Sequence, residues 1–202
     1  MNKLSLKQGR IEQKLKTRAV LLKAARSLMK RKKKITLENV AEKAKVSRAT
    51  IYRYFPNMDL LVKEASLDIA HSTPGSISDS VMKYGLKDRL IKIQERYNKL
   101  AQEHETEFRR YISAAIVEGI TSKKKLRGAR RVEALTLALV DQKGALKKSD
   151  RTKLIHTAAL LMGIDALVVC KDVCDLSNEE ADKTLKWAIE TILKGLTTGS
   201  KN

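Results

Sequence analysis

The chain has 202 residues, of which 43% are hydrophobic and 32% are charged, and its formal net charge is +19. This length and hydrophobic content are enough for a buried core, which excludes a disordered tail protein. Only two prolines interrupt the chain, and apolar residues recur at helical spacing, so we predict an all-α fold of about nine helices.

Positive charge is concentrated in the first third of the chain. Residues 1–63 contain 18 Lys and Arg but only 4 Asp and Glu, a net charge of +14, whereas residues 64–202 contain 24 and 19. Such a basic segment attracts a polyanion, and salt weakens that attraction steeply. The segment lacks the bulky apolar face of a helix that lies on an anionic membrane. DNA is therefore the favoured partner.

No segment has the pattern of an export signal or of a membrane span. The amino terminus carries Lys3, Lys7 and Arg10 without a long apolar run, and the longest nearly apolar stretch, residues 158–170, contains Asp165. A stretch of that length is too short to cross a bilayer. We therefore expect a cytoplasmic protein that has no membrane partner.

The first predicted helix covers residues 14–30 and supports a small three-helix domain. Leu22 and Met29 follow one face of it at helical spacing. We expect the residues before Ile11 to be mobile and to reach along the DNA backbone or into the minor groove. Residues 30–34 are five consecutive positive charges, which fit a solvated loop and a phosphate-contacting loop equally well.

Residues 36–55 have the pattern of two short helices separated by a tight turn. The hydroxyl of Thr36 is suited to cap a helix over residues 37–44, and Ser47 offers a second cap for the helix that follows. Pro56 ends the second helix because proline disfavours helical geometry in the residue before it. This arrangement is typical of a helix-turn-helix that binds DNA.

The second of these helices leaves polar and small side chains free to meet DNA. The guanidinium of Arg48 is suited to donate hydrogen bonds to a guanine, and the methyl groups of Ala49 and Thr50 are suited to contact a thymine. The alternative is a helical hairpin of some other α-domain whose basic face is merely solvated. The complete set of predicted DNA-binding residues is Thr36, Lys45, Ser47, Arg48, Ala49, Thr50, Tyr52, Arg53 and Tyr54.

The same segment closely resembles the amino-terminal signature of the TetR family of bacterial transcriptional regulators. The resemblance extends over roughly residues 10–65, and it rests on Thr36-Leu37, Val40-Ala41, Val46-Ser47, the run from Thr50 to Phe55, and Asp59-Leu60-Leu61. Lys45 departs from the pattern because it stands where the family usually places a turn glycine. A lysine there implies modest backbone strain or a different turn.

Domain boundaries follow from breaks in composition. Asn57 is suited to cap a linker helix over residues 57–70, and residues 71–78 are rich in turn formers, with His71 at the helix end. We predict a helix-turn-helix domain over residues 1–56, the linker helix over 57–70, and a helical ligand-binding and dimerisation domain over 71–202.

The middle of the chain shows helices without catalytic motifs. We predict helices over residues 79–84, 87–103, 105–120 and 123–141, and none of them carries a phosphate-binding loop or a catalytic triad pattern. His104 and His156 are isolated, and Cys170 and Cys174 are interpreted as structural thiols. We therefore predict no enzyme, no catalytic residue, no metal and no cofactor.

Two apolar helices are predicted at the end of the chain. Residues 151–171 are apolar nearly all round, and Ser177 with Glu180 forms a capping box for a final helix. Such helices suit a four-helix interface in a homodimer, although they also fit the core of a monomer. The predicted interface residues are Ile155, Ala159, Met162, Ala166, Leu185, Ala188, Ile189 and Ile192.

The resemblance implies a repressor that binds a palindromic operator as a homodimer. In the family, a small-molecule effector in the body changes the distance between the two DNA-binding heads and releases the DNA. One alternative is a constitutive, weakly specific DNA-binding protein, and another is a helical protein-interaction adaptor.

Overall fold

A computed structural model of the chain describes residues 3–29, 35–67, 72–122, 126–143 and 146–198. These residues form eleven α-helices and one 3-10 turn, and no strand occurs within the described ranges. The all-α class is confirmed, and the number of helices exceeds the predicted nine. The helices are α1 (Lys3–Met29), α2 (Leu37–Lys43), α3 (Arg48–Tyr54), α4 (Met58–Leu67), α5 (Pro74–Val81), α6 (Leu86–Glu103), α7 (Glu105–Ser122), α8 (Arg130–Ala138), α9 (Lys148–Leu160), α10 (Ile164–Asp172) and α11 (Asn178–Thr198), with the 3-10 turn at Val140–Lys143.

The chain folds into two compact units. The amino-terminal unit combines α1 to α4 with α7 from Thr106 onward and the segment up to Gly128, and the carboxy-terminal unit contains α5, α6 and α8 to α11. From the sequence alone, residues 106–128 are predicted to share one domain with the rest of residues 71–202. The difference arises because Tyr111 and Ala115 of α7 join the core formed by α1 to α4, and helical periodicity does not show which core an apolar face joins.

The core of the amino-terminal unit is made by one face of each helix. One cluster contains the fully buried side chains of Leu21 and Leu22 of α1, Ile51 of α3 and Leu61 of α4. Phe55, directly after α3, is also fully buried. A side chain of this size contributes about 1.5–3 kcal/mol when it leaves water, so these contacts hold α3 in a defined orientation.

A buried polar network crosses the same core. The guanidinium of Arg18 donates from Nε to Oε1 of Glu64 at 2.6 Å, and from Nη2 to the other carboxylate oxygen and to the carbonyl of Leu126. The Tyr111 hydroxyl donates to the same carboxylate at 2.8 Å, and the Arg18 guanidinium lies 4.6 Å from the centre of the Phe55 ring. The network links α1, α4 and α7.

The carboxy-terminal unit has its own apolar core and a line of buried amides on α6. Gln94 donates to the carbonyls of Leu161 at 2.7 Å and Leu185 at 2.9 Å. One turn later, Asn98 accepts a hydrogen bond of 2.8 Å from the backbone of Gly163. The core residues include Ile77, Val81, Leu90, Ile93, Tyr97, Ala134, Leu135, Leu139, Leu154, Ala158, Met162 and Ile189.

The first helix begins at Lys3, eleven residues before its predicted start at residue 14. Residues 3–10 are thus helical, and the expectations that the residues before Ile11 are mobile and reach the DNA stay predictions. Lysine and leucine supply four of the eight residues 3–10, and both favour helix even without an apolar stripe. The basic run at residues 30–34 and its expected phosphate contacts lie outside the described residues.

The predicted turn at residues 71–78 is shorter in the structure, because α5 begins at Pro74. The Thr73 hydroxyl caps this helix by accepting from the Ser76 backbone at 3.1 Å, and Pro74 occupies the first turn, where its missing N–H costs nothing. The helix predicted over residues 79–84 therefore starts earlier and ends at Val81. His71 lies outside the described residues.

The helix predicted over residues 151–171 is two helices, α9 and α10. Gly163 separates them with a φ of 74°, a backbone conformation that glycine adopts at little cost. No single described helix is long and apolar enough to span a membrane, whereas α9 and α10, bent by 56°, pass that test as a pair. The helix predicted over residues 123–141 begins only at Arg130 and ends at Ala138.

Candidate nucleic-acid interface

The first helix of the motif is fixed by its cap and by its apolar face. The Thr36 hydroxyl accepts a hydrogen bond of 3.2 Å from the Asn39 backbone, as the sequence predicted. Val40 and Ala41 are buried in the core of the amino-terminal unit. One helical face therefore holds α2 in place, and the opposite face is open to solvent.

The turn between α2 and α3 has the left-handed residue that the motif requires. Lys45 has a φ of 54°, so the expected strain at this substituted glycine position is present in the backbone. Its N–H bonds to the Glu42 carbonyl at 3.0 Å, and the Val46 N–H bonds to the Ala41 carbonyl at 3.0 Å. The turn closes tightly and leaves the Lys45 side chain exposed.

The second helix is capped in the predicted way. The Ser47 hydroxyl accepts from the Thr50 backbone at 3.1 Å, which satisfies an otherwise free N–H in the first turn. Ile51 is buried on the inner side. Because that side is anchored in the core, Arg48 and Tyr52 share the outer face one turn apart.

The predicted DNA-binding residues divide into an exposed group and a half-buried group. The side chain of Arg48 is 75% exposed and Tyr52 is 39% exposed. Tyr54 instead packs partly against the core, with the Arg53 guanidinium 5.5 Å from its ring centre. Lys45, Ser47, Arg48, Ala49, Tyr52 and Arg53 are exposed, whereas Thr36, Thr50 and Tyr54 are half-buried.

Glu38 of α2 is a member of this surface that the sequence analysis missed. The Tyr52 hydroxyl donates to its Oε1 at 2.7 Å, and Arg48 Nη2 donates to the same oxygen at 3.2 Å. The hydrogen bond from Tyr52 is the main cause that lowers the pKa of Glu38 to about 2, and the same bond raises the pKa of Tyr52. Separations of 10 and 14 residues follow no single helical period, so no sequence pattern indicated these contacts.

The exposed face of α3 has the chemistry of a DNA-contacting surface. It presents a guanidinium with five donors and a phenolic hydroxyl beside a flexible lysine. A guanidinium pairs with the edge of guanine, and hydroxyl and ammonium groups bind phosphate oxygens. The net charge of +14 in residues 1–63 places this face in a basic field.

The predicted dimer residues lie mainly inside the carboxy-terminal unit. Exposure is 8% or less for Ile155, Met162, Ala166, Leu185 and Ile189, so these five side chains are buried within a single copy of the chain, and their role in a dimer interface stays a prediction. Periodicity identified the apolar face correctly but not what covers it. The remaining three, Ala159, Ala188 and Ile192, are half-buried. From residue 160 onward, the large exposed apolar side chains of this unit are Leu160, Val169, Val173 and Trp187.

The two cysteines occupy different environments. Cys170 is buried in α10 and Cys174 is exposed after its end, and both are free thiols. Burial raises the pKa of Cys170, which keeps it in the unreactive thiol form.

Comparison with known families identifies the amino-terminal unit. The family described as bacterial regulatory proteins, tetR family, matches residues 21–65, which run from the last third of α1 to near the end of α4. Searches among curated proteins and among solved structures gave no match. The matched residues contain the capped helix pair, its turn and the exposed face of α3. The amino-terminal unit therefore carries the DNA-binding region of the tetR family of bacterial regulatory proteins, which supports a DNA-binding transcription regulator.

Proposed function

We propose that this regulator is a repressor, that it binds a palindromic operator as a homodimer, and that a small-molecule effector releases it. The observation that carries the proposal is the position of Arg48 and Tyr52. They stand side by side on the exposed face of α3 while Ile51 anchors the other face in the core. A recognition helix needs this combination, because base contacts require side chains that are exposed and a helix that does not rock.

In the proposed complex α3 lies in the major groove. Arg48 donates to the O6 and N7 atoms of a guanine, and the methyl group of Ala49 contacts thymine. Tyr52 and Arg53 bind phosphates beside the groove, and Lys45 binds a phosphate from the turn. Contacts of the second kind give affinity without sequence preference, so Arg48 carries most of the base readout.

Dimerisation is proposed from the exposed apolar side chains of the carboxy-terminal unit. Val169 of α10 and Val173, which directly follows that helix, are four residues apart and are 52% and 77% exposed, and Trp187 of α11 is 65% exposed. Leu160, at the end of α9, is 72% exposed. Exposed side chains of this size on neighbouring helices favour a surface that a partner covers. A second copy of the chain would cover them and hold two heads at one operator.

Repression and release by an effector rest on the family to which the amino-terminal unit belongs. A repressor of this kind blocks a promoter while it is bound, and a ligand that binds only the form unable to bind DNA shifts the population away from the operator. The high positive charge favours a second candidate, a constitutive DNA-binding protein of low specificity. A net charge of +19 gives strong binding to any duplex at low salt.

Selection from a random duplex library tests the two candidates against each other. We expect the purified chain to enrich a palindrome whose half-sites are about 34–36 Å apart, one helical turn. The enriched duplex should bind at least about 1,000-fold more tightly than a shuffled duplex at physiological salt. When placed over a promoter, it should reduce transcription in the presence of the protein. If the protein binds the enriched and the shuffled duplex with nearly equal affinity, and if that affinity falls steeply with salt, the result would instead support the constitutive DNA-binding protein.

A further inference from the structure

The DNA-facing surface of α2 and α3 contains its own anion. Glu38 lies in the first turn of α2, and its Oε1 atom accepts from both Tyr52 at 2.7 Å and Arg48 at 3.2 Å. These two donors belong to the exposed face of α3. The carboxylate of Glu38 therefore contacts the two groups that the proposed complex uses for DNA.

The three side chains remain open to solvent, so the contact is available for exchange. The Arg48 side chain is 75% exposed and the Glu38 side chain is 39% exposed. An exposed ion pair is weak, because water and salt screen it. A phosphate group can therefore replace the carboxylate as the partner of Arg48 at small cost.

The geometry also leaves most of the guanidinium free. Glu38 takes one Nη2 hydrogen at 3.2 Å, whereas the guanidinium has five N–H donors in a planar fork. A carboxylate that holds one edge of the fork restricts its rotation and presents the remaining edge outward. Such preorganisation favours a bidentate contact with one base over a loose contact with any phosphate.

We propose that Glu38 is a specificity-determining residue of the DNA-binding surface and acts as an internal counter-ion. It competes with phosphates for Arg48 and Tyr52 on random DNA, and it orients Arg48 towards the base edge on the operator. Competition with phosphates lowers the affinity for DNA of every sequence. The orientation of Arg48 restores the affinity only at a site where a guanine accepts hydrogen bonds from its guanidinium. This inference rests on the proposed function, because it assumes that α3 reads bases.

The test compares Glu38→Gln with the matched control Glu42→Gln. Both substitutions remove one negative charge from the exposed side of α2, and Glu42 makes no side-chain hydrogen bond or ion pair with the part of the chain that the structure describes. Fluorescence anisotropy measures binding to a random duplex of about 30 base pairs, three helical turns. It also measures binding to the duplex that the parent protein enriches from a random library, across a range of salt concentrations.

We expect Glu38→Gln to tighten binding to the random duplex about fivefold, the size of one exposed ion pair. The slope of log affinity against log salt should become steeper by about 0.9 for each head, since one more phosphate is neutralised. Affinity for the enriched duplex should change by less than about twofold, so the specificity ratio falls. Glu38→Ala should act in the same direction, and Glu42→Gln should leave the ratio unchanged.

Two results would overturn the inference. One is a specificity ratio in Glu38→Gln that equals or exceeds the parent ratio, and the other is a random-duplex affinity that changes no more than in Glu42→Gln. Failure of the proposed function has a different signature, because the parent protein would then show no preference between the two duplexes. In that case the random-duplex measurement still decides whether Glu38 competes with DNA. Circular dichroism of each variant verifies that the helices are intact.

Discussion

Arg18 of α1 and Glu64 of α4 form an ion pair in the core of the amino-terminal unit, with Nε and Oε1 2.6 Å apart. Both side chains are at most 10% exposed. Tyr111 of α7 donates to the same carboxylate, so residues that are far apart in the sequence depend on one buried charge. Removal of one partner leaves the other charge buried and unpaired.

We predict that Arg18→Met lowers the free energy of unfolding by about 3–5 kcal/mol, the usual cost of a broken buried pair. Tyr111→Phe loses one hydrogen bond and should cost about 1–3 kcal/mol, since a charged acceptor loses a donor. Urea unfolding measures both values. The matched control is Lys63→Met on α4, whose partner Asp59 is 64% exposed, and it should cost less than about 1 kcal/mol. Equal losses in Arg18→Met and Lys63→Met would contradict the assigned role of the network.

The turn residue Lys45 gives a second prediction. Its φ of 54° costs a residue with a side chain about 1–2 kcal/mol, and glycine does not incur this cost. Lys45→Gly should therefore raise the free energy of unfolding by up to about 1 kcal/mol after the entropy of the unfolded glycine is subtracted. In the control, Lys43→Gly at the end of α2 should lower it by about 0.5–1 kcal/mol. A loss of stability in Lys45→Gly would show that the turn is not strained.

Lys45→Gly also removes one positive charge from the DNA-facing side. We expect the salt dependence of binding to a random duplex to become shallower by about 0.9 for each head. The variant is thus predicted to be more stable and to bind DNA less tightly. An unchanged salt slope would place Lys45 away from the phosphates.

Acid should remove the contribution of the Glu38 carboxylate to the stability of the folded chain. Its pKa falls from an ordinary value of 4.5 to about 2 in the folded chain, chiefly through the hydrogen bond from Tyr52. A lowered carboxylate pKa stabilises the fold above pH 4.5 and loses that effect as the pH falls towards 2. The difference in Tm between the parent and Glu38→Gln should therefore narrow between pH 5 and 2. Because the carboxylate is exposed, 1 M salt should reduce the difference at every pH. A Tm difference that widens as the pH falls would show that the hydrogen bond between Tyr52 and the Glu38 carboxylate does not stabilise the folded chain.

The oligomeric state tests the exposed apolar surface of the carboxy-terminal unit. We predict that Val173→Asp and Trp187→Asp shift the protein from twice the chain mass of 22.7 kDa to a monomer, as measured by light scattering. A buried, unpaired charge is costly at an interface. Ile120→Asp is the matched control, because Ile120 is 75% exposed on the amino-terminal unit. A dimer that resists both substitutions but is lost in the control would place the interface on α7.

Local signals in the sequence were sufficient for the motif. The caps at Thr36 and Ser47 and the unusual turn residue Lys45 were all predicted correctly, because each depends on side chains within a few residues. The all-α class followed from helical periodicity in the same way. Proline and glycine were less decisive, since Pro74 starts a helix that had been read as a turn.

Long-range pairing could not be predicted. Arg18 and Glu64 are 46 residues apart and Glu38 and Tyr52 are 14 residues apart, and neither distance corresponds to a repeat. The break at Gly163 was missed because the apolar pattern continues through it, and the dimer list consisted largely of core residues. An apolar stripe shows that a face is buried, but it does not show whether the same chain or a second chain covers it.

The central claim is that the exposed face of α3 reads DNA, and Arg48→Ala tests it most directly. Fluorescence anisotropy at physiological salt should show that this variant binds the enriched duplex about 5- to 150-fold more weakly, the value of one bidentate base contact. Binding to the shuffled duplex should weaken by no more than about fivefold, the share of one phosphate contact. If Arg48→Ala binds both duplexes as tightly as the parent protein, the DNA-reading surface lies elsewhere on the chain.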